Sequence, residues 1–70
     1  MLRQVVRSSS LISVGYDSHH QVMEVEFVQG EIYQFAEVSP AVHRALLAAS
    51  SKGEFFNDHI RDRYVSTRIA

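Results

Sequence analysis

Seventy residues, an apolar share of 46%, a net charge of −1 and no cysteine describe one small globular domain. They exclude disulfide scaffolds and thiolate metal sites, and by charge alone they indicate no polyanion partner. A chain this short buries little of its surface, so size keeps self-association open.

Residues 1–7 read as a flexible or weakly ordered lead-in, closed by Ser8-Ser9-Ser10. A first strand is expected over about 10–17, where Ile12, Val14 and Tyr16 alternate with Ser13 and Gly15. Gly15 weakens a strand and indicates a bulge or a close approach by a neighbouring backbone. After a polar loop, Asp17-Ser18-His19-His20, a second strand over about 21–29 places Met23, Val25 and Phe27 on one face and Glu24 and Glu26 on the other. Gln29-Gly30 supplies a hairpin turn. A third strand over about 31–37 sets Tyr33 and Phe35 on one side and Ile32, Gln34 and Ala36 on the other. Ser39 is an N-cap and Pro40 a first-turn proline for a helix over about 40–50, whose apolar stripe is Val42, Ala45, Leu46 and Ala49, widened by Leu47. Ser51 and Glu54 have capping-box spacing for a short second helix over about 52–60, which contributes Phe55, Phe56 and Ile60. Tyr64, Val65 and Ile69 leave the end open between an edge strand and a tail, and residues 66–70 read as weakly ordered. The expected fold is therefore α+β, a three-stranded antiparallel meander with both helices on one face. Its core is expected to hold Ile12, Val14, Met23, Val25, Phe27, Leu46 and Phe56, with Tyr33 and Phe35 as further members.

Charge is distributed unevenly. Arg3 and Arg7 stand at the start, and residues 8–42 carry Asp17, Glu24, Glu26, Glu31 and Glu37 with no Lys or Arg. The end carries Arg44, Lys52, Arg61, Arg63 and Arg68 against Glu54, Asp58 and Asp62. An acidic sheet with basic ends follows, and a weak basic patch is expected where the termini meet.

The order of motifs is SLISVGYD, an alternating VEF strand, G-x-x-Y-x-F, a V-S-P helix start, A-x-S-x-G-x-F-F-N and I-R-x-x-Y. Taken together, and over residues 8–65, this resembles the KTSC domain, found at the C-terminus of some lysyl-tRNA synthetases and as free-standing bacterial proteins. The Tyr-x-Tyr signature of that family falls on Tyr33, Gln34 and Phe35, so Phe35 keeps the second ring and loses its hydroxyl. The resemblance implies one accessory domain over 8–65, a link to RNA through the synthetase context, and no established activity.

Two surfaces become candidates. For RNA they are the arginines Arg61, Arg63 and Arg68 with Tyr64, joined by Arg3 and Arg7 if the termini meet, and the rings of Tyr33 and Phe35 as a stacking platform. Against this stand a solvated helix end whose arginines pair with Asp58 and Asp62, and a core placement for both rings, which so small a core favours. For a protein partner or a homodimer, the candidate is Phe55 and Phe56, since two adjacent rings cannot both face inward from one short helix. His19, His20, His43 and His59 lack a ligand spacing, so neither metal nor cofactor is expected. With no nucleophile elbow, no phosphate loop and no enclosed carboxylate pair, the chain is read as non-enzymatic. No stretch reaches membrane-spanning or signal-core length, so a cytoplasmic protein without a membrane partner is expected.

Overall fold

In the computed structural model, which describes residues 1–70, the chain runs through β1 (Arg3–Val5), β2 (Leu11–Asp17), β3 (Val22–Phe27), β4 (Ile32–Phe35), α1 (Pro40–Ala48), α2 (Lys52–His59) and β5 (Ser66–Arg68). All five strands join one antiparallel sheet in the order β1-β2-β3-β4-β5. The expected meander is its centre, and the α+β class and both helices are as expected. The strand count is not three but five, because each end of the chain adds an edge strand. Residues 1–7 and 66–70, read above as weakly ordered, hold β1 and β5. Pairing of the C-terminal end continues beyond β5, with the Ile32 amide donating to the Ala70 carbonyl at 3.1 Å and the Ile69 amide to the Ile32 carbonyl at 2.8 Å.

Helix starts follow the local chemistry. The Ser39 hydroxyl accepts from the Val42 amide at 3.4 Å, and Pro40 occupies the first turn. The Ser51 hydroxyl accepts from the Glu54 amide at 3.3 Å and opens α2. Gly30 takes φ 101° in the β3–β4 turn, a conformation that suits glycine.

Both helices pack on one sheet face. The core there consists of Leu11, Val14, Met23, Val25 and Phe35 from the strands, Val38 from the β4–α1 link, and Leu46, Phe56 and Ile60 from the helices and the end of α2. Ile12, expected inside, is exposed, and Leu11 takes its place. The reason is a bulge: pairing steps from Leu11 opposite Phe27 to Ser13 opposite Glu26, leaving Ile12 as an extra residue and reversing the side on which Leu11 points. Phe27 and Tyr33 are half-buried, packed against the core rather than within it. Tyr16 also belongs to this face. Its hydroxyl donates to the Val38 carbonyl at 2.6 Å, and its ring stacks on His43 of α1 with centroids 4.5 Å apart.

The opposite sheet face carries no helix, yet Ser13 and Glu24 are buried there. Arg3 of β1 covers them, donating to the Ser13 hydroxyl at 2.9 Å and to the Glu24 carboxylate. Gln34 donates to Glu24 at 2.9 Å, and Ser13 to Glu26 at 2.8 Å. Burial would push the Glu24 carboxyl up, but the hydrogen bonds from Gln34 and Arg3 outweigh it and hold the group below its usual value. Glu24, placed by the alternation on the face opposite Met23 and Val25, is thus the hub of a four-strand polar network. Gly15 makes the cover possible. A side chain there would begin 2.8 Å from the Leu2 carbonyl oxygen and 3.0 Å from Arg3 Cγ. This is the close backbone approach that a glycine in a strand indicates.

Candidate nucleic-acid interface

Strand β4 leaves the β3–β4 turn with Tyr33 pointing to the helix side, and α2 ends nearby with Ile60 in the core. Arg61 therefore emerges at the same end of the sheet as the turn. Between them lies a cleft of about 330 Å³ with Phe27, Tyr33 and Phe56 among its apolar walls and Gln29, Glu31 and Arg61 among its polar ones. The rings form a connected cluster. Phe27 meets Tyr33 edge-on at 5.9 Å and Phe56 at 5.2 Å, and Phe35 meets Phe56 at 5.4 Å. A second hollow of about 230 Å³ shares Phe27, Gln29, Phe56 and Arg61 and extends past Ser9, Ser10 and Gly53. The two hollows adjoin over Phe27 and Phe56, and Arg61 lines both.

The fold gives the candidate residues different surroundings. Arg61 lines the cleft and holds only a long 3.4 Å bond to Asn57 Oδ1. Arg68 lies in register with Tyr33 across the β4–β5 pair, and its Nε donates to the Ala70 carbonyl at 3.0 Å. Arg63 is exposed in the turn after α2. None of the three forms an ion pair with Asp58 or Asp62; the ion pairs are Arg3–Glu24 and His20–Asp17. Tyr33 is half-buried at the cleft, and Tyr64 is half-buried against the core.

Phe35 and Phe56 are only 3% and 5% exposed, which removes both as contact residues. They are needed to close the core between sheet and α2. Phe55 remains half-buried, its ring tilted against His59 at 4.7 Å beside a hollow of about 280 Å³ that Glu54 and Asp58 also line. Arg3 does not join the C-terminal arginines, whereas Arg7 stands two residues before Ser9, which lines the second hollow with Arg61. Sheet order places β1 and β5 at opposite edges, so the termini do not meet, and Arg3 is engaged by Glu24. His19 and His20 meet edge-on at 4.8 Å in the β2–β3 loop, while His43 lies on α1 and His59 on α2. His20 Nδ1 lies 2.8 Å from Asp17 Oδ2, and this hydrogen bond holds the Asp17 carboxyl below its usual value. His43 is pushed down by burial and by Arg44.

Sequence reasoning did not find Phe27, Gln29, Glu31 and Ser66 as cleft residues. The signal was present: a hairpin turn carries its flanking residues to one sheet end, and Tyr33 sits two residues beyond Glu31.

The KTSC domain profile matches residues 7–64. The chain belongs to the KTSC domain family. An uncharacterised protein of Stutzerimonas stutzeri is 44% identical over 64 residues, covering 91% of this chain and 90% of that protein. A lysine–tRNA ligase of Nostoc punctiforme is 35% identical over 49 residues, covering 70% of this chain but 9% of the ligase. The crystal structure of a KTSC domain protein from Yersinia pestis superposes with a TM-score of 0.93 at 36% identity, covering 99% of this chain and 97% of that one. No helix of this KTSC domain is long and apolar enough to cross a membrane.

Proposed function

We propose that this KTSC domain is a non-catalytic binding module that contacts RNA weakly, through Arg61, Arg63 and Arg68 on phosphates and the Tyr33 ring on a base. The observation that carries the reading is the convergence of Arg61, Arg68 and Tyr33 at one end of the sheet, with both guanidinium groups free of carboxylates. A guanidinium without an internal ion pair is available for a phosphate, and a half-exposed ring beside it offers a face for stacking. The related segment in a lysine–tRNA ligase supports RNA as the partner class. With few uncompensated cations and a net charge of −1, affinity is weak and sensitive to salt. Titration of labelled tRNA at low and at physiological salt tests this: binding at low salt that fades with added salt is expected, and no binding at low salt ends the reading.

Phe55 supports a second reading, a protein-binding or self-associating module. Its half-buried ring and the adjoining hollow form a contact surface from which Phe56 is now withdrawn. Light scattering at high micromolar concentration tests the homodimer form of this idea, and a clean monomer excludes it.

A further inference from the structure

A carboxylate beside a guanidinium with which it forms no ion pair calls for a ligand that donates hydrogen bonds to it. Glu31 lines the cleft with Arg61, and its carboxylate is in neither of the chain's ion pairs. The residue is held by the hairpin itself, since its backbone carbonyl accepts from the Phe27 amide at 2.9 Å. Beside it, Phe27 and Tyr33 offer half-buried rings suited to a flat, unstacked base, and the Gln29 side chain supplies both an amide donor and an acceptor.

We infer that the cleft formed by Glu31, Gln29, Tyr33 and Arg61 binds a single guanine nucleotide. The base edges decide which base fits. Guanine presents its ring N1–H and its exocyclic amino group side by side, two donors matching the two oxygens of one carboxylate. Adenine and cytosine each set a ring-nitrogen acceptor next to their amino donor, and uracil flanks its one imino donor with two carbonyls. Against a carboxylate these three lose one hydrogen bond and gain a lone-pair repulsion. Gln29 then has the guanine O6 within its repertoire as a donor, and Arg61 takes the phosphate. Stacking alone tolerates every base, so the selectivity comes from Glu31.

The source of the nucleotide rests on the RNA reading, whereas the guanine chemistry does not, because free guanosine monophosphate carries the same groups. The test uses short labelled uridine oligonucleotides with one central guanosine, adenosine or cytidine, read by fluorescence anisotropy at low salt, with guanosine monophosphate as a separate ligand. The expected result is about tenfold tighter binding of the guanosine oligonucleotide, the discrimination of one good bidentate contact. In Glu31→Gln the guanosine-to-adenosine ratio falls to near one, because an amide replaces one acceptor with a donor. Amide shifts confined to residues 27–35 and to the chain around Arg61 on adding guanosine monophosphate provide a readout that needs no variant. Equal binding of all the oligonucleotides overturns the guanine inference and leaves the RNA reading standing. Guanosine monophosphate binding without oligonucleotide binding supports the guanine site and overturns the RNA reading. No response to either ligand overturns both.

Discussion

Glu24 shows how a residue's role can invert between pattern and packing. Its place in the alternation assigns it to solvent, and its face of the sheet has no helix, yet it is buried beneath the side chains of Arg3 and Gln34. Replacing Glu24 with Ala leaves Arg3 and Gln34 without their shared acceptor and is expected to cost about 1.5–3 kcal/mol, the scale for hydrogen bonds to a charged group. Urea unfolding of the variant measures it, and a change inside experimental error would show the network to be decorative. Leu46 is the opposite case, legible from spacing and fully buried as expected. Leu46→Ala should lose about 2–5 kcal/mol by the same measurement, since it opens a void between α1 and the sheet. Ile12 was not legible, because period-2 reading assumes an unbroken ladder. A one-residue bulge exchanges the faces of everything before it, and no residue type at Ile12 announces one.

At the scale of elements, the centre was readable and the edges were not. β2, β3 and β4 carry alternation bounded by turn residues, and α1 and α2 carry N-caps, so local chemistry located all five. β1 and β5 have three residues each, all exposed, and owe their shape to the strand beside them rather than to their own pattern. Gly15 is the one local mark of β1, because it admits the Leu2 carbonyl. Gly15→Ala is therefore expected to loosen β1 before it affects the core, at a cost of about 1–3 kcal/mol for overpacking. Hydrogen exchange reads this at the Val6 amide, which donates to the Ile12 carbonyl at 3.0 Å in the native fold. Protection there should fall while the amides of β3 keep theirs; uniform loss across the sheet would contradict this. The cleft was hidden for a related reason. Its walls come from a turn, two strands, a helix end and the last strand, and only the fold brings Glu31 and Arg61 together.

Across the whole molecule, charge sets the response to pH and to salt. The Glu24 and Asp17 carboxyls sit below their usual values, so each stabilises the fold above its unfolded pKa and loses that contribution as pH falls through its folded one. His43 is also lowered, so the fold favours its neutral ring; its contribution is complete above the ordinary value of 6.5 and is lost as pH falls through the lowered one. Tm should be level at and just above neutrality and decline in two acid stages, the first of them absent in His43→Phe. A single decline confined to the carboxylate range in both proteins would remove His43 from the account. The fold has a consequence for binding, since it sets Arg44 beside Tyr16 and His43, toward the β2–β3 loop and away from Arg61 and Arg68. The most direct measurement of the proposed interface is thus the salt dependence of single-stranded RNA binding in the wild type, Arg61→Ala and Arg44→Ala. Three arginine–phosphate contacts predict a slope of log K against log salt near −2, at about −0.7 per contact on a single strand. Arg61→Ala should lower that slope by about 0.7 and Arg44→Ala should leave it unchanged. No measurable binding at low salt, or an Arg44→Ala loss equal to that of Arg61→Ala, would contradict the proposed interface.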